Sequence, residues 1–179
     1  DQQNNLLLER RNGKGARVMG INLEAKLAYE WMQIQAGATL QRSRYKEPEK
    51  WSGDESLQPQ KKMFRSPDVY GYVTSSFNPV KRLAVSLTGT YTGSMLMQHF
   101  AGYIPSDKEE KTPDFLDMSV KVAYDFPLFK SGTLQVNAGV QNIFDSYQSD
   151  FDKGGSRDAG YIYGPSLPRS VYVGCKIMY

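Results

Sequence analysis

The chain has 179 residues, 40% hydrophobic, 12% aromatic and 23% charged, with a formal net charge of +3. That length suits one domain or a piece of a larger one, and a charge so small and so mixed with acids argues against a nucleic-acid partner. No apolar run approaches the roughly eighteen residues of a membrane-crossing helix, which leaves open a membrane barrel, whose strands alternate.

The opening Asp1-Gln2-Gln3-Asn4-Asn5 is neither a methionine start nor a charged leader, and reads as a processed chain or a fragment. Leu6-Leu7-Leu8 followed by Arg10-Arg11-Asn12-Gly13-Lys14-Gly15 reads as a strand end and a short loop. From Ala16 to Tyr29 a period of two places Met19, Ile21, Leu23, Ala25, Leu27 and Tyr29 against Asn22, Glu24, Lys26 and Ala28. After a tight turn at Glu30, Met32, Ile34, Ala36, Ala38 and Leu40 alternate with Gln33, Gln35, Gly37, Thr39 and Gln41, which predicts a hairpin.

A polar segment, 42–67, follows as an expected long loop. A strand over 68–77 is weaker, and Asn78-Pro79-Val80-Lys81 predicts a short turn. Leu83, Val85, Leu87, Gly89 and Tyr91 form the next apolar parity, before a second long segment, 93–113. Leu116 to Phe126 alternates against Asp117, Ser119, Lys121 and Asp125, and the link 127–132 leads to Leu134, Val136, Ala138 and Val140 against Gln135, Asn137 and Gly139. A third long segment, 146–167, precedes Val171, Val173, Cys175, Ile177 and Tyr179, which oppose Ser170, Tyr172, Gly174, Lys176 and Met178. The lone Cys175 has no internal disulfide partner and reads as a small buried or lipid-facing thiol.

The connections alternate short and long without exception. In an up-and-down antiparallel sheet this gathers every short turn at one end and every long loop at the other, as in outer-membrane barrels. Strands of about eleven residues exceed the usual 5–6 of soluble sheets and suit a tilted membrane crossing. Aromatic residues near strand ends, and the aromatic last residue Tyr179, fit an interfacial girdle. A soluble β-sandwich also alternates, but explains neither the loop asymmetry nor the terminal aromatic. The expected fold class is therefore all-β, an antiparallel up-and-down transmembrane β-barrel. Leu23, Leu27, Val85, Leu87, Val120, Val136, Val173 and Ile177 are expected to face lipid, and Glu24, Lys26, Lys121 and Lys176 to face inward.

Gly139-Val140-Gln141-Asn142-Ile143-Phe144-Asp145, then Pro168-Arg169-Ser170 and a closing strand with a terminal aromatic, resembles the end of TonB-dependent outer-membrane receptors. Gly15-Ala16-Arg17-Val18-Met19-Gly20-Ile21-Asn22-Leu23-Glu24-Ala25 looks like an earlier strand of that family, with Asn22 where an acidic residue is more usual. Tyr91-Thr92-Gly93-Ser94-Met95 with His99 is similar to receptors of this family from the Bacteroidetes. The resemblance implies a 22-stranded, plugged barrel of which residues 1–179 are the last seven to eight strands. The plug domain and the TonB box would lie outside this chain. It further implies localisation in the bacterial outer membrane and TonB-dependent import of a scarce nutrient, such as a siderophore, haem or cobalamin. The implied partners are outer-membrane lipid, the remainder of the barrel and plug, TonB through the missing N-terminal part, the nutrient ligand and a surface lipoprotein, with no nucleic acid. The alternative is a small stand-alone outer-membrane barrel with a structural or adhesive role.

No enzyme is expected, since His99 is the single histidine and no serine or cysteine has a base and orienting acid in pattern; no cofactor is expected either. Met95, Met97 and His99 share a parity and are weak candidates for a soft metal, against the reading of an apolar strand end and an ordinary loop histidine. Asp150, Asp152 and Asp158 have calcium-loop spacing, but Lys153 and Arg157 oppose a cation and no glutamate closes the loop. The polar parity, including Asn22, Glu24, Lys26, Gln33, Gln35, Asp117, Lys121 and Asn137, is expected to face the lumen, where in a receptor it would hydrogen-bond the plug. Substrate is expected to meet loop aromatics, Tyr103, Tyr147, Phe151, Tyr161 and Tyr163, unless these merely pack the loops together.

Overall fold

The computed structural model describes residues 13–129 and 131–179, so the expected strand end at Leu6–Leu8 lies outside the described residues. Among the described residues there is no helix. The strands are β1 (Ala16–Tyr29), β2 (Met32–Glu49), β3 (Gln60–Lys62), β4 (Val69–Val80), β5 (Leu83–Thr92), β6 (Leu96–His99), β7 (Lys108–Lys111), β8 (Phe115–Leu128), β9 (Gly132–Gln141) and β10 (Ser170–Met178). One antiparallel sheet has the order β1-β2-β4-β5-β8-β9-β10, with β3 paired to the far end of β2, while β6 and β7 form a separate ribbon. The main sheet is open: among the described residues β1 and β10 each pair along one edge only.

The register explains why these residues form these strands. Residues opposite each other in a ladder share a face, and one row reads Leu27, Ile34, Ser75, Leu87, Val120, Val140, Val171 across all seven strands. The neighbouring row on the other face reads Gln33, Ser76, Ser86, Lys121, Gly139, Tyr172. A slip of one residue in β1, β8 or β10 would put Lys26, Lys121 or Lys176 among the aliphatics, so hydrophobic pattern fixes the pairing. Two polar-face glycines are required by close approach. The Tyr72 ring covers Gly37 and the Tyr172 ring covers Gly139, where a Cβ would stand 2.4 Å and 2.6 Å from the aromatic carbons.

Among the described residues no second sheet covers the apolar face. Leu23 is 65% exposed, Ile177 65% and Val173 77%, and Cys175 is exposed on the same face. The apolar set from Leu23 through Ile177 lies on one face of the sheet, and the charged set from Glu24 through Lys176 on the other.

Boundaries differ in places. β2 runs past Gln41 to Glu49 because Ala16–Met19 of β1 continue the ladder opposite Arg42–Tyr45, and backbone pairing needs no apolar side chain there. β4 reaches Val80, with an irregularity after Phe77, so the turn is Lys81-Arg82. β8 passes through Pro127, which lies beyond the end of β5, where Leu83 pairs Tyr124; the missing N–H breaks no bond there. Trp31 and Phe129 are exposed at the short-turn end. All three long connections emerge at the other end.

Candidate functional site in the long-loop cluster

The third long connection starts at a shaped turn. Asn142 and Asp145 take positive φ, 48° and 54°, conformations that asparagine and aspartate tolerate better than most residues. Asn142 is 3% exposed. Its amide nitrogen donates to the Leu167 and Ser146 carbonyls (3.0 and 3.3 Å), and its amide oxygen accepts from the Ser146 N–H (2.9 Å). The Asp145 carboxylate accepts from the Arg169 N–H at 2.7 Å, so both feet of the loop are tied at one point.

Within the cluster, β6, paired with β7, projects Met97 and His99 inward, where they are 0% and 5% exposed. Met95, Met97 and Tyr161 form the apolar core, with Tyr163 packed against it. The rings of His99 and Tyr161 stack at 3.6 Å and 9°. His99 Nε2 lies 3.0 Å from both carboxylate oxygens of Asp152, while Nδ1 has no hydrogen-bond partner and faces Glu110 Oε1 at 3.9 Å. The Tyr161 hydroxyl is shared between Glu110 (3.0 Å) and Asp150 (3.1 Å), and Tyr163 donates to Asp150 at 2.7 Å.

These surroundings hold both phenols neutral. Burial pushes the Tyr161 and Tyr163 pKa values up, reinforced by hydrogen bonds to Glu110 and Asp150 respectively. The Glu110 carboxyl is held below its ordinary value, first by the Lys108 ammonium at 2.7 Å and then by the Tyr161 hydroxyl, against an opposing effect of burial.

The other connections join the same body. Ser52 donates to Asp107 at 2.5 Å, Gln60 to Glu109 at 3.0 Å, and Arg65 to the Gly160 carbonyl. The Trp51 ring meets Phe64 and Phe100 edge-on at 5.7 and 5.4 Å. Gln148, 1% exposed, donates to the Tyr161 carbonyl and accepts from the Tyr163 N–H. The sequence reading missed Gln148, because a glutamine in a polar loop carries no periodic signal; only its neighbours in space make it a keystone.

The structure therefore sorts the candidate residues. Tyr161 is buried and Tyr163 half-buried, and both hold loops together; Tyr147 and Phe151 are half-buried, and Tyr103 is 52% exposed. The thioethers of Met95 and Met97 lie in the apolar core and His99 Nε2 is engaged by Asp152. Among the described residues no group of histidine, cysteine and acidic side chains suits a metal ion. Asp150, Asp152 and Asp158 do not converge: they receive tyrosine hydroxyls, His99 and the N–H groups of Phe100 and Gly160. Asn22, Glu24, Lys26, Gln33, Gln35, Asp117, Lys121 and Asn137 do share one sheet face, where Gln35 donates to the Tyr72 hydroxyl at 3.0 Å. That polar face and the loop cluster meet at the long-connection end, where Gln41 donates to the Pro67 carbonyl and Ser119 accepts from the Asn142 N–H. No protein-family model matches the chain, and no curated protein matches it.

Proposed function

We propose that this sheet is part of the wall of an outer-membrane barrel, and that the barrel imports a scarce nutrient in the manner of TonB-dependent receptors. The observation that carries the reading is the seven-strand register. It keeps one face apolar and uncovered, keeps the other polar, and sends every long connection to one end. An uncovered apolar face of that extent calls for lipid or a partner. Among the described residues β1 and β10 each keep one unpaired edge, which favours a larger barrel over a closed stand-alone one, since an open edge in lipid leaves backbone groups unsatisfied.

On this reading the polar face lines the lumen and contacts the plug, while the braced loops present Tyr103 and neighbouring groups to the nutrient. A metal chelate remains the proposed cargo class through the resemblance alone. The test is nutrient-dependent growth after shortening the segment between Tyr147 and Tyr163, with barrel assembly checked by heat-modifiable mobility. Loss of growth on one nutrient with assembly intact supports import. Normal growth on every candidate nutrient with assembly intact removes this loop from the site.

A further inference from the structure

The outward parity of β2 does not stay apolar. Beyond Leu40 it continues Arg42, Arg44, Lys46. Arg17 stands directly opposite Arg44 on one side and Lys62 of β3 stands opposite it on the other, so three cations occupy one row on three adjacent strands. Arg42, opposite Met19, lies a row nearer the apolar band, and Lys46 a row farther, its stem over Gly15. Cross-strand neighbours on one face sit about 4.5–5.5 Å apart, and like charges so placed destabilise a sheet.

Little in the fold offsets that repulsion. Lys62 has the Asp68 carboxylate at 2.8 Å. Among the described residues no carboxylate forms an ion pair with Arg17, Arg42, Arg44 or Lys46. On the opposite face at the same height, Lys14 is paired with Glu47. Immediately below the cations, Met19, Ile21, Leu40 and Val69 line a groove of about 570 Å³ whose upper rim is Arg42 and Asp68. Asp68 Oδ1 is buried without a hydrogen-bond partner.

We propose that this face holds an anionic lipid, with its phosphate-bearing headgroup on Arg17, Arg42, Arg44 and Lys46 and an acyl chain in the groove. The inference rests on the membrane-wall reading. A phosphate supplies the missing counter-charge, and arginine forks suit its oxygens. The groove decides for a lipid over a free anion, because it joins the cations to the uncovered apolar face without a break.

The test titrates the full-length protein in neutral detergent with lysophosphatidic acid and, separately, lysophosphatidylcholine, counting bound lipid by native mass spectrometry. The phosphatidic headgroup is expected to bind more tightly. Arg42→Gln with Arg44→Gln is expected to lower that affinity about thirtyfold, the conversion of about 1 kcal/mol for each of two basic side chains near an anionic surface. Arg42→Lys with Arg44→Lys keeps the charge and most of the preference, which separates charge from folding. Equal binding of both lipids overturns the inference and leaves the membrane wall standing. Binding of neither overturns the inference, and because detergent itself covers an apolar face it leaves the membrane wall standing. Displacement by inorganic phosphate alone, with no dependence on the acyl chain, makes the cluster a free-anion site and overturns the assignment to lipid.

Discussion

Asn142 illustrates how much one side chain carries. Replacing it with alanine strands buried carbonyl and N–H groups around the loop feet, at about 1–3 kcal/mol, and leaves a residue at φ 48° where alanine is disfavoured by about 1–2 kcal/mol. Asn142→Ala is expected to speed hydrogen exchange across 143–169 while β9 stays protected; unchanged exchange there would deny Asn142 its anchoring role. Tyr161 and Tyr163 give a pH prediction. Their folded pKa values lie above the ordinary 10.0, so beyond pH 10 the folded cluster holds more protons than the unfolded chain, and its stability falls as pH rises. Glu110, depressed below 4.5, contributes above that pH and loses its contribution as pH falls. The loops are therefore expected to be firmest between those limits. An ultraviolet titration should show late-ionising tyrosines, two of which Tyr161→Phe with Tyr163→Phe removes; an unchanged late phase in that double variant would contradict the buried cluster.

Each strand obeys the period of two, and so most elements were legible from the chain alone: Met19 to Tyr29 needs only its alternation to be placed. The extension of β2 to Glu49 was not legible, because Arg42 to Lys46 keep the period while abandoning the hydrophobicity that marks it. The β6–β7 ribbon was hidden for a related reason, since strands of four residues give too few periods to read. In the loops, the parity of Met95, Met97 and His99 was visible, but the packing of the two thioethers and the stacking of His99 on Tyr161 depend on a residue more than sixty positions away. At this scale the sheet predicts an asymmetry. If the apolar face meets lipid, Val120→Arg is expected to cost about 2–4 kcal/mol, and Thr88→Arg on the polar face much less. Denaturant titration of the refolded protein in lipid vesicles measures both, and equal costs would contradict the two-faced sheet.

The whole sheet presents two unpaired edges and an uncovered apolar face, which no arrangement within the described residues relieves. Residues 1–179 expressed alone are accordingly expected not to yield a heat-modifiable, protease-resistant monomer, and recovery of one would refute the larger-barrel reading. The claim on which everything else stands is that one face meets lipid and the other water. Spin labels at Val85, Ser86, Leu87 and Thr88 of β5, in a Cys175→Ser background of the full-length protein in vesicles, test it most directly. Collision with oxygen should dominate at Val85 and Leu87, and collision with a polar nickel chelate at Ser86 and Thr88, alternating residue by residue. Equal access of the nickel chelate at all four positions would contradict the account.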